Sequence, residues 1–151
     1  MQFTSILKSA FTVLSLAAAL HASATERPEV GRYVQAYQGE ENVTVYVVRL
    51  GPAARAEALL QVTGIDHELD GVIHKARVSN DGSNTRSYRI PATSGRETVE
   101  VLRLERDSGR LLLNVSPHGL TDYRISYSRP ASLDTSAEHM LTRWLEQDKR
   151  R

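Results

Sequence analysis

Cysteine does not occur anywhere in the sequence. A disulfide framework, the common support of small exported domains, is therefore excluded. So are a thiol nucleophile and a lipid anchor, which needs a cysteine at the cleavage site. An excess of charge of either sign is missing as well. The chain carries 19 Lys+Arg against 18 Asp+Glu, and Lys8 is the only charged residue before Thr25. The chain from Thr25 onward is electrically balanced, with no broad field to gather nucleic acid or anionic lipid. Phenylalanine is confined to Phe3 and Phe11, so beyond them the aromatic bulk comes from the tyrosines and Trp144. Only one long apolar run is present. The uncharged stretch 9–20 lies directly after Lys8 and closes on Ala22-Ser23-Ala24. It is short for a bilayer span of ~20 residues, and its flanks are those of a secretory leader rather than a retained membrane anchor. The expectation is a signal peptide at 1–24 and a single mature domain at 25–151, periplasmic or secreted, with no stable membrane span.

From Val30 to Tyr127 the pattern is one of short extended segments. "VGRYVQAYQ" (30–38) and "NVTVYVVRL" (42–50) flank a Gly-Glu-Glu turn and read as a hairpin. "GPAARAEA" (51–58) reads as the start of a short helix with Pro52 in its first turn, and "LLQVTGI" after it as extended. "VIHKARVS" (72–79) and "TRSYRI" (85–90) are separated by the turn residues "NDGSN". "ETVEVLRLE" (97–105) and "RLLLNV" (110–115) flank "RDSG", a hairpin connection. In "YRISYS" (123–128) Tyr123, Ile125 and Tyr127 alternate with polar residues. About eight strands on such short connections require antiparallel pairing, because a parallel crossover takes a dozen residues or more.

The last segment has a different period. Thr135 and Glu138 have the spacing of a capping box. Ala137, Met140, Leu141, Trp144 and Leu145 form one apolar stripe over a helix at about 136–148. Burying a side chain the size of Trp144 removes ~150–250 Å2 from water, so the helix is expected to dock on the sheet. The expected fold is mainly β: an antiparallel β-barrel or β-sandwich with this helix packed on it.

Chemical motifs are sparse. "GIDHELDG" (64–71) places Asp66, Glu68, Asp70 and Gly71 at positions 1, 3, 5 and 6 of a calcium loop. Position 12, which should be a bidentate glutamate, is Arg77. His67 and His74 lack the close pairing usual for zinc ligands. The segment reads as a polar loop, no metal site or cofactor is assigned, and its acids suit a basic partner. No Gly-x-Ser-x-Gly elbow is present, and Ser116 with His118 fits a turn better than a nucleophile and its base. The six tyrosines serve either an ordinary β core with hydroxyls at its rim or a contact surface or cavity lining. In "SNTRSYR" (83–89), Arg86, Tyr88 and Arg89 are of the types enriched at binding hot spots.

"TDY" (121–123), with "SRP" (128–130) ahead of the final helix, is similar to signatures of the lipocalins, eight-stranded barrels that carry apolar ligands. The lipocalin Gly-x-Trp is here Gly31-Arg32-Tyr33, and one strand rather than two fits between the motifs; membership is not assigned. The reading is a non-catalytic envelope binding protein of inhibitor, immunity or accessory type. Its expected contacts are Asp66, His67, Glu68 and Asp70 in one loop and Arg86, Tyr88 and Arg89 in another. The alternatives are a carrier of a small apolar ligand and a metal-dependent hydrolase.

Overall fold

A computed structural model describes residues 27–82, 84–91, 98–105, 108–115 and 119–150. The expected signal peptide, part of the "RDSG" turn, and Ser116 with His118 lie outside the described residues. Eight strands succeed one another: β1 (Gln35–Gly39), β2 (Thr44–Leu50), β3 (Glu57–Thr63), β4 (Ile73–Asn80), β5 (Thr85–Pro91), β6 (Thr98–Glu105), β7 (Ser108–Val115) and β8 (Gly119–Tyr127). Each pairs antiparallel with the next, and β8 returns to β1. The sheet is a closed barrel. At the closing seam a Cβ on Gly39 would stand 2.7 Å from the Arg124 carbonyl oxygen, so only glycine admits the approach of β8 there.

Alternation decides what lies inside. Val45 and Val47 of β2, Leu60 and Val62 of β3, Tyr88 and Ile90 of β5, Leu102 and Leu104 of β6, Leu111 and Ile125 form one buried cluster. The outward residues of β2, β3 and β4 are apolar as well: Val48, Leu50, Leu59 and Ile73. This double burial is why β2 and β3 read as nearly continuous apolar runs. The second face is covered by α2 (Ala137–Asp148), whose Ala137, Met140 and Leu141 are buried against it. Trp144 and Leu145 pack at the edge of this cluster and are only partly buried, so Met140 and Leu141 anchor its centre. Gln147 Oε1 accepts the Ile73 N–H at 3.3 Å.

The helix begins one residue later than the capping-box spacing predicts. Ser136 Oγ accepts the His139 N–H at 3.1 Å. With histidine three residues beyond the cap there is no acid to reciprocate, and Glu138 instead meets Arg27 at 2.9 Å. "GPAAR" forms only a 3-10 turn at Ala53–Arg55, ended by Ala56 at φ 50°. A short helix that the pattern did not signal, α1 (Arg129–Leu133), comes directly after β8. It extends the barrel seam: the Ala36 N–H donates to Ser132 Oγ at 2.9 Å, and the Ser128 N–H to the Ala36 carbonyl at 2.8 Å. The ladder positions that β8 vacates are thus filled.

Leu141 is fully buried between helix and sheet. Leu141→Ala is expected to cost about 2–5 kcal/mol, read from urea unfolding, with the barrel spectrum retained. A cost below about 1 kcal/mol would mean that α2 does not depend on this contact.

Candidate functional site

The two ends of the barrel differ. At one end the β3–β4 loop folds inward. Ile65 is buried in the interior cluster and Leu69 packs against it. The polar residues around them serve the turn: Asp70 Oδ1 accepts the Ile65 N–H at 3.1 Å, His67 Nδ1 accepts the Leu69 N–H at 3.1 Å, and Gln61 Nε2 donates to the Gly71 carbonyl at 2.8 Å. Gly64, at φ 82°, lies so close to Asn42 that a Cβ would sit 2.4 Å from its carbonyl oxygen. The "GIDHELDG" segment is therefore a plug held by its own side chains, with Asp66 and Glu68 exposed on its outer surface. Among the described residues no three His, Cys, Asp or Glu side chains are grouped to hold a metal ion.

The other end is open. Tyr37 and Tyr88, both buried, lie below its rim with Leu104, and Gln35, Asn80, Arg86 and Glu105 surround them. The cleft they line is about 400 Å3. A neighbouring lobe of about 480 Å3 shares Gln35, Asn80, Arg86 and Tyr88 and extends to Arg32 and Tyr33. Register explains how Arg32 and Tyr33 reach it. Val30 stands opposite Leu50 and Gln35 opposite Val47. Four residues on one side therefore span two on the other, and the excess loops out. Gly31 anchors the loop by donating its N–H to the Arg49 carbonyl at 2.8 Å. Tyr33, 71% exposed, projects at the mouth with the Arg32 guanidinium 5.1 Å from its ring centre, a cation–π contact.

Inside the mouth, Tyr37 and Tyr127 stand opposite each other and meet edge to face at 5.9 Å. Four of the six tyrosines (Tyr33, Tyr37, Tyr88 and Tyr127) thus gather at this end. Burial pushes the Tyr88 hydroxyl above its ordinary acidity range, opposed by a hydrogen bond from the Arg86 guanidinium. Tyr88 is only 2% exposed and forms floor rather than rim. Arg86 is exposed beside it.

Strand alternation separates Arg89 from these two. It faces outward opposite Arg77, donating to Ser79 Oγ at 2.9 Å. There it belongs to a polar cluster centred on Asp81, which accepts from Ser87 Oγ at 2.5 Å and from Ser79 Oγ at 3.3 Å. The seven residues expected to contact a partner therefore occupy three places: Asp66, His67, Glu68 and Asp70 on the plugged end, Arg86 and Tyr88 in the mouth, and Arg89 on the outer wall. Arg32 and Gln35 were not among the expected contacts, and Tyr33 entered only with the six tyrosines as a group. Their segment reads as plain strand, and the loop depends on a register mismatch between distant residues.

Comparison with protein-family models, with curated proteins and with solved structures finds no match.

The Asp81 carboxyl is held below its ordinary range, first by the Ser87 hydroxyl and then by Ser79 and the charges of Arg89 and Arg103, against a burial effect that raises it. A depressed acid contributes stability above its unfolded value of about 3.8, and that contribution fades as the pH falls through the lower folded value. Urea midpoints measured from pH 6 to pH 2 are expected to fall less steeply for Asp81→Asn than for the wild type. Parallel curves would remove Asp81 from the acid response.

Proposed function

We propose that this chain is an exported, non-catalytic binding protein of the cell envelope, of inhibitor, immunity or accessory type, which receives another protein on the open mouth of its barrel. The observation that carries this reading is the composition of the mouth. Exposed arginine and tyrosine from two separate segments, Arg32–Tyr33 and Arg86, flank a polar cleft floored by buried Tyr37 and Tyr88. These residue types dominate binding hot spots because each combines large contact area with a directed polar group. The loop at 64–71 lies at the other end of the barrel, so one compact partner surface would use Arg86 and Tyr88 rather than both expected loops.

A second reading is favoured by the size of the mouth. Lobes of about 400 and 480 Å3 fall in the range of small-ligand pockets, roughly 300–1,000 Å3. The fully buried Leu60, Leu102 and Leu111 fill the interior beneath, so an apolar ligand would have to stay at the rim, among polar groups. That arrangement suits a polar side chain from a partner better than a hydrocarbon. Export rests on the sequence of residues 1–24. No helix among the described residues is long and apolar enough to cross a membrane.

Affinity capture from an envelope extract tests the reading. A retained protein is expected whose affinity falls about tenfold or more for Tyr33→Ala or Arg86→Ala, while Glu68→Ala at the plugged end leaves it unchanged. Equal retention by the mouth variants would refute the site. Saturable binding of an apolar dye to the folded protein, blocked by no protein partner, would favour the carrier instead.

A further inference from the structure

The seam between β1 and β8 is short. Its ladder runs from Tyr37 opposite Tyr127 to Gly39 opposite Ile125, whereas β8 begins at Gly119. Beyond Gly39 the chain turns away from β8. The Gly39 N–H donates to the Val43 carbonyl at 2.9 Å, closing a 3-10 turn at Glu40–Asn42 that leads into β2. Among the described residues no strand follows β8 over Gly119–Tyr123 on that side. Alternation gives the direction of the backbone groups left there. Ser128 donates its N–H to the Ala36 carbonyl at 2.8 Å, so even-numbered residues of β8 turn N–H and C=O toward β1 and odd-numbered ones toward β7. Leu120 and Asp122 therefore aim both backbone groups past the end of β1. Among the described residues no hydrogen bond reaches them there. Exposed edges are commonly guarded by charge. Here the Asp122 carboxylate is drawn across to β7, where Arg110 holds it through Nε, at 3.1 Å, and Nη2. Arg124 adjoins the covered row at Ile125 and lies outside the open stretch.

We propose that this edge is a self-association site, where the open stretch of β8 pairs antiparallel with the same stretch of a second copy about a two-fold axis. Free N–H and C=O groups on every second residue select an extended strand as occupant. A second copy supplies one with the same spacing, and an isologous pairing covers both edges at once. The surroundings restrict the register. Placing Asp122 opposite the second copy's Asp122 opposes like charges. It also drives Gly119 into the second copy's Gly39, which already stands opposite Ile125. With Leu120 opposite the second copy's Asp122, Thr121 falls on the axis. The free N–H and C=O groups of both residues then find partners, and β1 is displaced in neither copy. The open stretch lies toward the plugged end, where the Glu40–Asn42 turn abuts Gly64. The mouth stays free, so the pairing is independent of the function proposed for it.

Sedimentation velocity of the purified protein, from about 10 μM to about 1 mM, is expected to show a concentration-dependent dimer, weak because one strand edge makes a small interface. Amide hydrogen exchange followed by NMR locates the contact. The Leu120 and Asp122 N–H groups are expected to exchange freely at the low concentration and about tenfold or more slowly at the high one. Those of Thr121 and Tyr123, which face β7, are protected at both. Leu120→Pro removes an edge donor and no bond to β7. It is expected to keep the barrel spectrum and to weaken the dimer about tenfold or more. Tyr33→Ala and Arg86→Ala leave the dimer unchanged. A monomer across the whole range overturns the proposal, as does a dimer in which Leu120 and Asp122 exchange as fast as in the monomer. Protection of both at the low concentration also overturns it, since the edge would then be covered within one chain. Should Leu120→Pro not fold, the wild-type exchange pattern decides alone.

Discussion

The backbone ladder between β1 and β8, from Tyr37 opposite Tyr127 to Gly39 opposite Ile125, closes the sheet on itself. Everything else in the molecule leans on that seam. Over residues 37–39 and 125–127 it pairs the first strand with the last, covering there the edges that are the usual template for unwanted association. It also encloses the interior cluster, so that alternating residues from all parts of the chain share one core. The seam is specified locally by Gly39, which lets the two backbones approach, and by α1, whose Ser128 and Ser132 complete the hydrogen bonding at Ala36. A chain without disulfides concentrates its stability in such backbone closure and in burial.

Much of this architecture was legible in the sequence, and the reasons are particular. Period-two segments such as Tyr123–Ile125–Tyr127 identify strands whose outer face is wet. The stripe Ala137–Met140–Leu141 identifies a helix with one dry face. Short turns force antiparallel order. Barrel against sandwich was left open, because closure is a property of β1 and β8 together and no local pattern encodes it. The true cap of α2 differs by one residue from the expected one, since Thr135 and Ser136 are both competent and only the chain path chooses between them. The fate of "GIDHELDG" was half legible. Its polarity announced a loop, but the burial of Ile65 and the inward hydrogen bonds of His67 and Asp70 depend on the barrel end it fills. The rim of the mouth was hidden for the same reason, since Arg32 and Tyr33 are brought there by a mismatch between Val30–Leu50 and Gln35–Val47.

The barrel divides its surface by chemistry. One side wall is dry beneath α2, while the wall of β6 to β8 is charged and open. At one end a self-bonded loop turns Ile65 into the core, and the other exposes arginine and tyrosine above a filled core. With Leu60, Leu102 and Leu111 fully buried, the interior beneath the mouth is filled, and the polar side chains stand at its rim and on the outer walls.

The seam also orders events in time. Gln38 and Ser128, hydrogen-bonded across it, are 90 positions apart along the chain. At ~5–20 residues per second of synthesis, β1 spends roughly 5–20 s without the neighbour that completes it. Contacts of such long range form late and slowly. During that interval the first strand is a bare template, and whatever holds the nascent chain apart from others must act before β8 emerges.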